Sequence, residues 1–342
     1  MMDVVAQALA NHPRVRLAHL PTPLEAMENL SERLGGPRLF VKRDDCTGVA
    51  MGGNKSRQAE FYFGRAVEAG ADTVVTTGAF QSNHARMCCA YARKLGMACE
   101  IQLEHRVAGK GDTYLKSGNV LLDRLLGAVI HEYPDGEDEA GADRNLSKIA
   151  EAIAERGGKP YVIPLSADHP PVGALGYVEA AAELVAQAEA MGISIDTVVV
   201  PSGSASTHAG MLAGMKAMGS PVRVLGICVR RDAAAQGPRV LKRTRETLEL
   251  AGLSTEVTDT DVHVTDAWLG DGYGRLNDAA REAMTLAAEC EGLLLDPVYT
   301  AKSLAGLIGA VRDGTIGAEE TVVFLHTGGT PALFAYEEFL GH

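Results

Sequence analysis

Three short stretches of the sequence join chemically useful side chains to the spacing of a strand-to-helix turn. The first is Gly52-Gly53-Asn54-Lys55, which opens the helix-length segment Ser56–Ala69. Paired glycines let the backbone come close to a flat ligand. A lysine at a helix start faces the positive end of the helix dipole, at a cost of roughly 0.3–1 kcal/mol. The same potential favours the neutral amine, the form that condenses with a carbonyl to a Schiff base. An exposed surface lysine after a loop would carry the same four residues.

The second stretch, Gln81-Ser82-Asn83-His84, follows the apolar run Thr73–Thr77. Hydroxyl and amide side chains join free backbone N–H groups there, a set that suits a carboxylate. Capping the next helix is the commoner use of Ser82 or Asn83. The third, Ser202-Gly203-Ser204-Ala205-Ser206-Thr207, comes directly after Val198–Val200. Its converging N–H and O–H donors suit one phosphate group held on a helix N-terminus. It matches neither G-x-x-x-x-G-K-[ST] nor G-x-G-x-x-G, which disfavours nucleoside triphosphates and dinucleotides. A flexible turn without a ligand is the alternative.

These turns need a scaffold that aims them at one place. Apolar, β-branched runs at Thr73–Thr77, Val198–Val200, Val222–Val229 and Thr321–Leu325, with less pure ones at Cys99–Leu103 and Tyr161–Pro164, predict strands. Between them lie the helix-length segments His84–Leu95, Ala174–Met191, Ala233–Ala251 and Asn277–Cys290. Fully apolar strands alternating with helices predict an α/β fold, its parallel sheets flanked by helices on both faces. In such sheets ligands collect at the carboxyl ends of strands, where the three turns stand. The polar stretch Asp135–Asn145 reads as a solvated loop running into a helix, and no Pro/Ser-rich linker divides the chain. Any second domain must therefore be joined by more than one crossing.

The 342 residues suffice for one large domain or two closely joined ones. A formal charge of −12 argues against nucleic acid and anionic membrane as partners. Any anionic ligand must be held by local donors. Cys46, Cys88, Cys89, Cys99, Cys228 and Cys290 form no C-x-x-C pair and read as reduced core thiols of a cytoplasmic protein. The histidines show no metal-binding spacing, so no metal is expected. Met1 to Leu20 lacks an uninterrupted apolar stretch and no run reaches about 18 apolar residues, so neither a signal peptide nor a membrane span is expected.

Taken together and in this order, the three turns resemble those of fold-type II enzymes dependent on pyridoxal 5′-phosphate (PLP). More narrowly, the chain resembles the family of D-cysteine desulfhydrase, 1-aminocyclopropane-1-carboxylate (ACC) deaminase and L-cysteate sulfo-lyase. The likeness also runs through Pro21-Thr22-Pro23-Leu24, Val41-Lys42-Arg43-Asp44-Asp45, Gly173-Ala174-Leu175-Gly176-Tyr177, Gly272-Tyr273-Gly274, Leu295-Asp296-Pro297-Val298-Tyr299-Thr300 and His326-Thr327-Gly328-Gly329. The resemblance implies PLP on Lys55, its phosphate cradled by Ser202 to Thr207, and Asn54 and Asn83 beside the cofactor. It places Ser82 at the carboxylate of a small amino-acid substrate, with Asn83 and His84 alongside, and Tyr273 and Tyr299 facing that substrate. It also implies a smaller domain, residues 51–164, inserted into a larger one made of 1–50 and 165–342, and a homodimer.

ACC deaminases look as if they need a glutamate just after the tyrosine matching Tyr299, whereas this chain has Thr300, and Thr327 in the His-Thr-Gly-Gly turn. Neutral hydroxyls at the pyridine nitrogen leave a shallower electron sink than a carboxylate, which suits β-elimination rather than cyclopropane opening. The segment Ser166-Ala167-Asp168-His169-Pro170-Pro171 departs from the desulfhydrase pattern and is more like that of ACC deaminases. His169 and Ser166 are read as meeting a polar or anionic substrate group, although a loop histidine stiffened by two prolines is the plainer reading. The expected activity is a PLP-dependent carbon–sulfur lyase, with L-cysteate placed slightly ahead of D-cysteine. ACC deaminase and an inactive PLP-binding regulator are the alternatives.

Overall fold

The structure is a computed structural model and describes residues 2–337. The chain opens with α1 (Met2–Leu9), β1 (Leu24–Ala26), α2 (Glu28–Leu34) and β2 (Arg38–Lys42). A middle segment follows: α3 (Asn54–Glu68), β3 (Thr73–Ala79), α4 (Asn83–Lys94), β4 (Ala98–Glu104), α5 (Asp112–Lys116), α6 (Gly118–Leu125), β5 (Val129–Tyr133), α7 (Glu139–Glu155) and β6 (Pro160–Ile163). The last part holds α8 (Leu175–Met191), β7 (Thr197–Ser202), α9 (Ser206–Ala217), β8 (Arg223–Cys228), α10 (Ala233–Ala251), β9 (His263–Thr265), α11 (Asp278–Glu291), α12 (Thr300–Arg312) and β10 (Thr321–Leu325).

Two sheets result. The strands of the middle segment form a four-stranded sheet in the order β5-β4-β3-β6, all parallel. The strands on either side of it in sequence form a six-stranded sheet, β1-β2-β10-β7-β8-β9. Only the β1–β2 pair there is antiparallel. Every residue of β3, β7 and β10 is buried, as expected of strands covered on both faces. The α/β class with parallel, helix-flanked sheets is therefore the observed one.

Several elements were not legible as strands or helices, and each has a physical reason. β5 is an edge strand carrying His131 and Glu132, so it lacks an apolar run. β2 ends in Lys42, which is 1 % exposed and looks misplaced until its partners are seen. The polar stretch from Asp135 does run into a helix: Asp138 caps α7 by accepting from the Gly141 amide at 2.8 Å.

The partners of Lys42 form a buried ion network that seats the start of α3. Arg57 donates to both carboxylate oxygens of Asp44 at 2.9 Å, and to Glu183 on α8 at 2.8 and 2.9 Å. Lys42 reaches Glu183 and Gln187, both at 2.5 Å, and the Thr22 carbonyl at 2.7 Å. Thr22 and Tyr177 donate to Asp44 at 2.8 and 2.5 Å. Two cations and two carboxylates thus meet in the interior with their hydrogen bonds filled, the condition under which a buried ion pair is tolerated. The stretch Ala50–Gly53 just before α3 has positive φ throughout. At Gly52 a Cβ would lie 2.0 Å from the Asp45 carbonyl oxygen, so only glycine fits.

Among the described residues, no helix is long and apolar enough to cross a membrane, and no group of three or more His, Cys, Asp or Glu is placed to hold a metal.

Candidate active site

The carboxyl ends of β3, β4, β7, β8 and β10 open on one cavity. Lys55 is the one lysine among the described residues that lines it. Burial lowers the Lys55 amine from its ordinary 10.5 to about 8, with Cys88 opposing. Its Nζ donates to Gln58 Oε1 at 3.1 Å, one turn along the same helix. The other two buried lysines are committed elsewhere. Lys42 belongs to the ion network, and Lys302 holds the carbonyls of Leu269 and Gly272 at 2.7 and 2.6 Å, which steadies the loop bearing Tyr273.

The serine-rich turn and the lysine helix are tied through one hydroxyl. Thr207 Oγ1 accepts from Asn54 Nδ2 and from Gln58 Nε2, both at 2.9 Å. Ala205, at φ +78°, opens α9 with no side-chain cap, so the first amides of that helix are left for an outside acceptor. The carbonyls of Gly203 and Ser204 are engaged instead by Arg231 and Arg239, at 3.3 and 3.4 Å. An uncapped 12-residue helix start beside a neutralisable lysine fits a phosphate-bearing aldehyde such as PLP.

Gly203, Ser204, Ala205 and Thr207 line the cavity, but Ser202 does not. The Ser202 hydroxyl is fully buried between His208 Nδ1 at 3.1 Å and Gln236 Nε2 at 2.8 Å, so the expectation that it meets a phosphate is corrected. Ser206 is buried in the first turn of α9, and its side chain is not among those lining the cavity.

The β3–α4 turn does two things at once. Ser82 caps α4, accepting from the Ala85 amide at 3.1 Å, and also lines the cavity, where its hydroxyl proton is still available. Asn83 Oδ1 accepts from Arg86 at 3.2 Å and Asn119 at 3.0 Å, which leaves the Asn83 amide N–H groups for a ligand. His84 also lines the cavity. Burial first, then the Lys55 charge, push it down to about 3, so it is a neutral ring bonded to Thr76 Oγ1 at 3.0 Å.

Tyr273 and Tyr299 face each other across 2.6 Å between hydroxyls, and burial raises the pKa of both, which keeps them protonated. Asp296 sets the position of Tyr299. Its carboxylate accepts the amides of Val298, Tyr299 and Thr300 at 2.8–2.9 Å.

Three further expectations are corrected or narrowed by position. Thr300 is fully buried with its hydroxyl on Asp296 Oδ1 at 2.7 Å, and it does not line the cavity; Thr327 does. His169 is exposed, pairs with Asp143 at 3.1 Å and is outside the cavity. Ser166 lies buried in an adjoining small cavity next to Arg106 and Glu139, its hydroxyl without a partner.

Among the cavity residues that sequence reasoning missed, two are charged, Arg106 and Arg230. Both follow the carboxyl ends of parallel strands, β4 and β8, and the rule that directs attention to such ends would have found them. Their charges also bear on Tyr273, lowering its pKa against the larger, opposite effect of burial. Of the six cysteines, Cys46 is exposed and Cys290 half-buried, so they are not core thiols; the other four are buried.

Comparison with known proteins agrees with this geometry. A D-cysteine desulfhydrase of Salmonella choleraesuis (strain SC-B67) is 43% identical over 329 residues, 96% of this chain and 97% of that protein. One of Salmonella typhi is 42% identical over 328 residues, with the same coverage. A crystal structure described as an ACC deaminase homologue superposes with a TM-score of 0.88 at 35% identity over 99% of both chains. The family model for pyridoxal-phosphate-dependent enzymes matches residues 15–328, and with one cavity lysine whose pKa is lowered to about 8 beside an uncapped helix start, the chain belongs to that family and uses PLP.

Proposed function

We propose that the chain is a β-eliminating carbon–sulfur lyase for a cysteine-type amino acid, releasing pyruvate, ammonia and sulfite or sulfide. The observation that carries this reading is the Lys55 amine, brought to about 8 at the edge of a cavity that also holds Ser82, Asn83 and the Tyr273–Tyr299 pair. Relatives described as D-cysteine desulfhydrases support it. L-Cysteate is placed ahead of D-cysteine because two guanidinium groups line the cavity of a chain whose net charge is −12.

Bound PLP supplies the electron sink for the substrate α-carbon. The Ser82 hydroxyl and Asn83 amide hold the substrate carboxylate at the start of α4. Lys55 Nζ takes the α-proton, a role that needs the neutral amine and so strengthens as pH rises through about 8. The C–S bond breaks with its electron pair leaving on sulfur, and one water converts the three-carbon remainder to pyruvate and ammonia. Thr327, a cavity-lining neutral hydroxyl, would meet the pyridine nitrogen of bound PLP, and its lack of charge would favour elimination over ring opening of ACC. Residues 51–164 serve as the smaller domain and 1–50 with 165–342 as the larger, in a cytoplasmic homodimer.

Pyruvate release from L-cysteate, D-cysteine and ACC tests the reading. Lys55→Ala should lower elimination by at least about 10²–10⁴-fold, and borohydride reduction followed by peptide mapping should place the cofactor on Lys55. Cofactor mapped to Lys42 or Lys302, or faster turnover of ACC than of either sulfur substrate, would sink it.

A further inference from the structure

Two cavity guanidinium groups have no part in the steps above. Arg106 comes from the four-stranded sheet and Arg230 from the six-stranded one. The Arg230 side chain is 8 % exposed, and its Nε is buried without a hydrogen-bond partner. Buried N–H groups of a charged side chain are rarely left that way in a finished structure. Its other nitrogens reach Glu139 Oε1 at 3.0 Å, the Gly136 carbonyl at 3.4 Å and Glu137 Oε2 at 3.5 Å. The Arg106 side chain is 9 % exposed and holds Glu104 through Nε and Nη2, both at 2.7 Å, which leaves Nη1 outside that pair. Arg231 and Arg239 crowd onto the same Glu139. Four cations thus face Glu104, Glu139 and Glu137, and Glu137 is 76 % exposed to water. A local surplus of positive charge remains inside a strongly acidic protein.

We propose that Arg106 and Arg230 form a second anion subsite in the cavity, which holds the sulfonate of a β-sulfonated amino acid such as L-cysteate. The inference rests on the lyase reading and narrows its substrate. A sulfonate presents three oxygens and one negative charge, and guanidinium forks meet such oxyanions with charge-assisted hydrogen bonds. When the C–S bond breaks, its electron pair passes to sulfur and the group departs as sulfite dianion, while the α-proton goes to Lys55. The charge at the subsite doubles during the step, so donors already in place there stabilise the transition state more than the bound substrate. The thiol of cysteine offers neither the oxygens nor the fixed charge.

The test compares binding of 3-sulfopropanoate and propanoate to the holoenzyme by titration calorimetry, since neither has an amine and neither can react. The wild type should prefer the sulfonate by about 10- to 100-fold. Arg230→Gln should remove most of that preference, because Arg231 and Arg239 still pair Glu139 and keep the fold. Arg106→Lys, which keeps a cation for buried Glu104, should reduce it as well. Equal wild-type binding of the two probes, or a preference untouched in both variants, overturns the subsite. The same proteins are then assayed for pyruvate from L-cysteate. An Arg230-dependent preference without pyruvate from L-cysteate or D-cysteine means the subsite stands and the lyase reading fails. Unchanged kcat/KM for L-cysteate in Arg230→Gln means the reverse.

Discussion

Two clusters of charge flank Lys55 and differ in one respect. Around Arg57, two cations meet two carboxylates, and Thr22, Tyr177 and Gln187 fill the remaining hydrogen bonds. Around Glu139, three arginines converge on one carboxylate, and the Arg230 Nε is left unpartnered. The first cluster closes on itself, so its energy goes into holding α3, and with it Lys55, against α8. The second stays open toward the cavity, and an open cationic cluster is one that gains by meeting an anion. Arg57 and Arg230 are 0 % and 8 % exposed at the side chain, but Asp44 is 0 % and Glu139 27 % exposed, so the second cluster is both less saturated and less deeply buried than the first.

The comparison breaks most sharply under truncation. Arg57→Ala strands Asp44 in the interior and weakens the hold on Glu183, and it should cost about 3–5 kcal/mol in urea unfolding. Arg230→Gln removes contacts to Glu139, which keeps Arg231 and Arg239, and long contacts to the Gly136 carbonyl and the exposed Glu137, so about 0.5–1.5 kcal/mol is expected. Equal losses in the two variants would mean that the open cluster is structural after all.

Acid sharpens the same contrast. Burial pushes the Glu183 carboxyl up, but its hydrogen bonds and ion pairs with Arg57 and Lys42 outweigh this and hold it at about 2, below its ordinary 4.5. Because the folded value lies below the unfolded one, the stabilisation is fully present above 4.5 and is lost as pH falls through about 2. Over that window the wild type should lose on the order of 3 kcal/mol more than Glu183→Gln, read from urea midpoints at decreasing pH. Parallel curves for the two proteins would show that the network does not govern acid stability.

The smallest effect belongs to His169. Its pairing with Asp143 is solvent-exposed, so His169→Ala should change stability by no more than about 1 kcal/mol. Turnover of L-cysteate should stay unaffected, since the ring lies outside the cavity. A selective loss of L-cysteate turnover would return the sulfonate to the Asp-His-Pro loop.

The sequence by itself determined the local parts of this protein. Buried strands such as Val198–Val200 and Thr321–Leu325 announce themselves because both faces are apolar, and Gly52-Gly53 before Lys55 marks a backbone that must turn tightly. The lysine, the carboxylate turn and the phosphate-type turn follow from short-range rules of helix starts, and all three do open on one cavity. Tertiary structure alone decided where hydroxyls and charges point. Ser202 and Thr300 are small polar residues next to a site, and only packing reveals that His208, Gln236 and Asp296 have already taken their hydrogen bonds. His169 looked like a pocket residue until the loop carried it to the surface, whereas Arg106 and Arg230 stand in no local motif and the fold brings both to one cavity. A hydrogen bond is satisfied by whichever partner the fold delivers, and a residue's type does not say which partner that will be.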